Sequence, residues 1–165
     1  MRYYLGAVVF FLCVTALTQN TYAQNKKFGL GVIVGEPTGI SAKYWTSRQN
    51  AFDFGLGWSI GGDRISDYDG NYNGNTRVHF HMDYLWHSFD AFKTSETLPL
   101  YYGIGWRFNT GAGYDNSFAV RGVIGISWFP NDTPLDVFAE FVPSLELFES
   151  TGFGIDAGAG VRFYF

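Results

Sequence analysis

The chain has 165 residues, of which 47% are hydrophobic, 20% aromatic and 16% charged, with 21 glycines and a net charge of −4. A pI near 5.2 gives nucleic acid no basic field to exploit, and the apolar share is far too large for a disordered segment. The length suits one domain, yet 33 aromatic residues are a heavy load for a water-soluble domain to hide.

Residues 1–23 have a basic start at Arg2, an apolar run from Leu5 to Leu17 and small residues before Gln24. That pattern predicts a secretory signal peptide, the run being shorter than the roughly 20 residues of a spanning helix. Cys13 follows Leu12, where a lipoprotein site wants a small residue, so a lipid anchor is not expected. Residues 24–165 then form the expected domain, with no cysteine and a net charge of −5. An exported domain without disulfides must rely on burial and backbone hydrogen bonding, which a closed barrel supplies.

From Lys27 onward the hydrophobic period is two, the signature of strands, and no 3.6-residue stripe occurs. Two weaker strands, Lys27 to Val34 and Ile40 to Thr46, flank Gly35-Glu36-Pro37-Thr38-Gly39. That Gly-rich piece lacks the Lys and spacing of a phosphate-binding loop and reads as a turn. In Ala51 to Ile60, Phe52, Phe54, Leu56, Trp58 and Ile60 share one face and Asp53, Gly55, Gly57 and Ser59 the other. The next strand sets Val78, Phe80, Met82, Tyr84 and Trp86 against Arg77, His79, His81, Asp83 and His87. Leu98 to Phe108 sets Leu100, Tyr102, Ile104 and Trp106 against Tyr101, Gly103, Gly105 and Arg107, and in Phe118 to Trp128 the polar row is Arg121, Gly125 and Ser127. In the last two strands Asp136, Glu140, Ser144 and Glu146, then Asp156, Gly158, Gly160 and Arg162, form the polar rows. Turn signals separate the eight strands at Ser47 to Asn50, Gly61 to Asn75, Ser88 to Thr97, Asn109 to Ser117, Pro130 to Pro134 and Glu149 to Gly152.

Alternation alone also fits a soluble lipocalin-type barrel with the apolar row inside. Three features favour lipid outside. The polar rows hold glycine, serine and balanced charges rather than a Lys/Glu-rich surface: cations Lys43, Arg77, Arg107, Arg121 and Arg162 against anions Asp53, Asp83, Asp136, Glu140, Glu146 and Asp156. Such a set can neutralise itself inside a narrow barrel. Aromatics such as Phe52, Trp58, Trp86, Trp106, Phe118, Trp128 and Phe163 recur on the oily face toward strand ends, as interfacial girdles require. Gly160, Phe163 and Phe165 resemble the carboxy-terminal signal read by barrel-assembly machinery, with a departure at Gly158, where a polar residue is usual. The expected fold is therefore an all-β, eight-stranded antiparallel transmembrane up-and-down barrel in the outer membrane of a Gram-negative-type bacterium, with periplasmic termini.

Gly31 to Trp45 with its Gly-Glu-Pro-Thr-Gly piece, Phe52 to Trp58, His81 to His87 and Leu98 to Gly105 with Leu-Pro-Leu-Tyr-Tyr-Gly carry a resemblance. They are similar to a family of bacterial outer-membrane barrels of unknown function, and the strand count resembles the small barrels of the OmpA membrane domain and OmpX kind. The resemblance implies fold and location and brings no catalytic residues.

His79, His81 and Asp83 share one face, with side chains starting about 7 Å apart, a placement open to a metal site, a lipid A hydrolase or a luminal polar network. The network is the expectation, because no cysteine completes a metal site and parity points these groups away from lipid. Asp67-Tyr68-Asp69-Gly70-Asn71-Tyr72-Asn73 lacks the glycine and glutamate positions of an EF-hand and reads as a solvated loop. The turns predict that Lys43 stands opposite Asp53 and Glu140 opposite Arg162, the latter register setting Glu146 against Asp156. No cofactor, enzymatic or nucleic-acid role is expected. The expected role is structural or interactive, without an open channel: envelope integrity, adhesion or host contact, with a lipid A-modifying enzyme or a narrow pore as alternatives. The implied partners are outer-membrane lipid and lipopolysaccharide, the assembly machinery, and an extracellular ligand at the outer loops.

Overall fold

The computed structural model describes residues 26–59, 77–92, 94–111, 114–147 and 152–165. The segments 1–23 and Gly61 to Asn75 therefore lie outside the described residues. Eight strands follow one another: β1 (Phe28–Gly35), β2 (Thr38–Trp45), β3 (Asn50–Ser59), β4 (Arg77–Ser88), β5 (Leu100–Gly111), β6 (Tyr114–Trp128), β7 (Leu135–Glu146) and β8 (Gly152–Tyr164). Each pairs antiparallel with the next, and β1 pairs with β8 from Gly29↔Tyr164 to Gly35↔Gly158, closing the barrel. Closure leaves no edge strand, so the backbone groups of the wall are satisfied by neighbours. Both ends of the described chain lie at one rim, where Phe165 N–H donates to the Phe28 carbonyl at 3.0 Å. This is the terminal rim; the opposite one is the distal rim.

Parity sorts the side chains as the alternation requires. Leu30, Val32, Ile40, Leu56, Val78, Ile104, Ile124, Phe141 and Val161 are exposed on the outer wall. Lys43, Asp53, His79, His81, Asp83, Arg107, Arg121, Asp136, Asp156 and Arg162 are buried inside. Trp106 stands in mid-wall opposite Met82 and Val120 rather than near a strand end.

The Gly35-to-Gly39 piece is a tight turn. Gly35 has φ +135°, which L side chains rarely adopt, and its N–H and carbonyl both bond the Thr38 hydroxyl, at 3.2 and 3.0 Å. At the same rim, the connection expected over Asn109 to Ser117 is mostly strand. β5 and β6 continue to Gly111↔Tyr114, with a register irregularity after Asn109↔Ser117, leaving two residues between them.

The β7–β8 register also differs from expectation. Arg162 stands opposite Asp136, not Glu140, whose partner is Gly158; Asp156 faces Val142, and Glu146 faces Gly152. The hairpin is centred nearer Glu149 than Thr151, and this four-residue slide keeps every side chain on its face. It also removes the direct pairing of Glu146 with Asp156.

One seam departs from regularity. Pairing of β6 with β7 runs from Ala119↔Glu146 to Arg121↔Ser144, lapses over two positions and resumes at Ile124↔Phe141 in the same register. Pro143 falls in the lapse, and without an N–H it cannot donate to the strand opposite. Behind it, Val123 and Val142 pack with Leu85 and Tyr101 in an apolar cluster inside the lumen.

Candidate functional site

The polar groups converge in the lumen, in three layers. In the layer nearest the terminal rim, Asp136 Oδ2 accepts from Lys43 Nζ at 3.1 Å and from Arg162 Nη1 at 3.2 Å. Arg162 also donates from Nη2 to Asp53 Oδ2 at 2.6 Å and from Nε to Ser41 Oγ at 2.8 Å, and its guanidinium lies 3.6 Å from the Phe138 ring centroid. Charge-assisted bonds of this length, with an aromatic face against the cation, are among the stronger polar contacts available in a buried site. Lys43 and Asp53 are backbone partners, as the Ser47 to Gln49 turn predicts, yet their charges go elsewhere. Lys43 reaches across to β7, and Asp53 takes Arg162 from β8. In a barrel this narrow the opposite wall is as near as the adjacent strand.

Below this layer the lumen is stopped by rings. His87 lies 4.4 Å from Trp45 between centroids; Phe89 and Phe129 stand about Trp45 at 6.2 and 6.3 Å; Tyr164 accepts from Trp45 Nε1 at 2.9 Å. The Gln49 carbonyl can only accept, so His87 Nδ1 carries the proton at 3.2 Å from it, leaving Nε2 to accept from Lys43 Nζ at 3.4 Å. The long terminal-rim connection is stitched down by the bridge Thr97↔Phe129 and by Glu96, which accepts from Trp128 and Asn131.

The middle layer centres on Arg121. Its Nε lies 3.1 Å from Asp83 Oδ1 without hydrogen-bond alignment, and its Nη2 lies 3.7 Å from Glu140, which accepts from the Tyr101 hydroxyl at 3.2 Å. His79 Nε2 and His81 Nδ1 are 2.9 Å apart, so one donates to the other; His81 Nε2 stands 3.9 Å from Asp83. This mutual bond turns the two ring nitrogens toward each other rather than toward a shared ion. Among the described residues no group of three or more His, Cys, Asp or Glu is arranged to hold a metal.

In the distal layer Arg107 bridges Asp156 through Nη1 and Glu146 through Nη2, the latter at 2.8 Å, while Asn109 Nδ2 donates to Ser117 Oγ at 3.0 Å. Arg77 begins β4 at this rim, but its side chain lies outside the described residues. The lumen thus brings together thirteen of the fourteen charged or histidine positions picked out by parity, all but Arg77. Of the three carboxy-terminal residues singled out, Phe163 and Phe165 lie 5.2 Å apart edge to face, and Gly160 leaves the space that the Phe138 ring occupies.

The same device recurs inside. A Cβ on Gly55 would strike the His81 ring, one on Gly105 the Asp83 carboxylate, and one on Gly125 the Tyr101 ring. Small residues on one strand thus create the volume for large polar ones on the next. Sequence reasoning missed Trp45, Phe89, Phe129 and Tyr164 as a stopper and Leu85, Val123, Phe138 and Val142 as inward apolar groups. Parity alone places the last four inside, two residues from polar-row positions on either side, but their apolar character hid them among the wall residues. Comparison with protein-family models, curated proteins and solved structures found no match.

Proposed function

We propose that this chain is an outer-membrane β-barrel protein with periplasmic termini and a structural or surface-interaction role. The observation that carries the reading is the inversion of polarity. Every strand turns large apolar side chains outward, while ionisable side chains converge in the interior. In water such a wall would aggregate; in a bilayer it is the required surface. Stacked or edge-packed rings on that wall, Phe52 with Tyr84 and Trp86 with Tyr102, lie toward the terminal rim, where an interfacial girdle is expected. The leader-like composition of residues 1–23 and the closed ring of eight strands support the same location.

The absence of an open channel belongs to the proposal. It is supported by Arg162 reaching from β8 to Asp53 on β3, by Lys43 reaching from β2 to Asp136 on β7, and by the ring stopper at the terminal rim. With the hairpins at 36–37 and 112–113 so short, contact with an extracellular ligand falls chiefly to the Gly61 to Asn75 connection. Its other partners in this reading are outer-membrane lipid and lipopolysaccharide, and the assembly machinery during biogenesis.

The test is electrophoresis of the outer-membrane fraction with and without heating. A folded barrel resists the detergent until heated and changes mobility, whereas recovery in the soluble periplasmic fraction would sink the proposal. In planar bilayers the purified protein is expected to be electrically silent, and sustained single-channel steps would replace a structural role with a narrow pore.

A further inference from the structure

The outer wall carries a depression. Where β6, β7 and β8 approach the terminal rim, Ala139 and Ala159 floor a groove of about 290 Å³, and Leu98, Ile126, Trp128 and Val137 surround it. Ala139 pairs with Ile126 on one side and Ala159 on the other, and Trp128 stands opposite Val137 one step nearer the rim. The groove therefore starts at the rim and runs up the wall along the strands. Its volume is at the lower limit for small-molecule sites and its walls are hydrocarbon, so it suits one flexible chain rather than a compact polar ligand.

The two connections at its mouth are anionic, while Lys26 lies along the same rim over the Phe163 ring of β8. Glu96 is held there by the Trp128 indole N–H at 3.3 Å and by the Asn131 amide at 3.4 Å. Asp90 and Asp132 are exposed in the same two connections, and the sequence adds one cation there, Lys93, outside the described residues. A hydrocarbon slot beneath a carboxylate complements an amphiphile whose polar head carries a positive charge.

We propose that this groove binds one acyl chain of a glycerophospholipid whose head group bears an ammonium, with Glu96 as the head-group contact. The inference rests on the membrane-spanning reading, in which the terminal rim faces the periplasm and hence the phospholipid leaflet. An amine-headed lipid here would cover Trp128 and fix the 89–99 and 129–134 connections against the wall.

The experiment uses the full protein extracted in mild detergent and supplied with equal amounts of phosphatidylethanolamine and phosphatidylglycerol of matched chains, with retained lipid counted by native mass spectrometry. The expected result is an excess of phosphatidylethanolamine of about two- to fivefold, the equilibrium equivalent of one exposed ion pair. Glu96→Gln should abolish the preference while leaving total lipid unchanged. Ala139→Phe should lower retention of both lipids by filling the slot. Equal retention of the two lipids by the unaltered protein, or an undiminished preference in Glu96→Gln, overturns the inference; heat-modifiable gel mobility of Glu96→Gln checks that this isosteric variant is folded. Flotation with vesicles separates the two levels of the argument. A chain that fails to float overturns the membrane reading and this inference together, and one that floats without head-group preference overturns the inference alone.

Discussion

At the terminal end of the lumen Lys43 and Arg162 face Asp53 and Asp136, two cations for two anions. Toward the distal end one guanidinium faces two carboxylates, and then another does the same: Arg121 with Asp83 and Glu140, Arg107 with Glu146 and Asp156. The geometry follows the stoichiometry. Arg162 makes three side-chain hydrogen bonds and lies on a ring, whereas Arg121 Nε and Nη1 find no hydrogen-bond partner among the described residues. The terminal layer also ties together four strands, β2, β3, β7 and β8, that flank the closing seam. A buried ion cluster can therefore serve as a clasp or merely be tolerated, and the difference lies in whether each charge is matched and aligned.

The comparison breaks most sharply at Arg162. Arg162→Met leaves Asp53 and Asp136 short of a cation in a dry interior and is expected to destabilise by about 3–5 kcal/mol, read as a lower urea midpoint for unfolding from vesicles. Next comes Gly55→Val, which drives a side chain into the space of His81; a loss of about 1–3 kcal/mol in the same titration is expected. Arg121→Met should fall below Arg162→Met, at roughly 1–2 kcal/mol, because its bonds are poorly aligned. A loss at Arg121 equal to that at Arg162 would dissolve the distinction between the layers. Arg107→Gln should be milder still, within about 1 kcal/mol, because Glu146 is 28% exposed and water can answer its charge. Finally, a double-mutant cycle on Lys43 and Asp53 should give a coupling under about 0.5 kcal/mol despite their adjacency in the ladder. The same cycle on Arg162 and Asp53 should give clearly more.

Much of this was legible before any coordinates, because a strand turns its side chains with period two and nothing later in folding changes that parity. Lys43, Asp53, Asp83, Arg121 and Arg162 could be assigned to the interior on that ground alone. Their partners could not. Which carboxylate receives Lys43 depends on the width of the lumen, and which residue faces Arg162 depends on a hairpin whose sequence, Leu147 to Thr151, has no dipeptide that dictates a two-residue turn. Parity places Leu85, two residues from Asp83 and His87, and Val142, two from Glu140 and Ser144, on the inner face, but it gives no reason for an apolar side chain in a polar row. The stopper escaped for a different reason: Phe89 and Phe129 belong to connections, to which no periodicity applies. Their ring centroids nonetheless stand 6.2 to 6.3 Å from those of Trp45, His87 and Tyr164, on three strands.

The bond from Trp45 to Tyr164 joins residues 119 apart in the chain, on β2 and on the final strand. The bond cannot exist until the last strand has docked against the first, because Tyr164 arrives only with that event. Loop-closure entropy makes such a long-range contact among the late ones to form. The indole at Trp45 is consequently a clock for the barrel's completion: its environment passes from wet to dry when the cylinder shuts, and a truncation removing Tyr164 would leave that clock stopped.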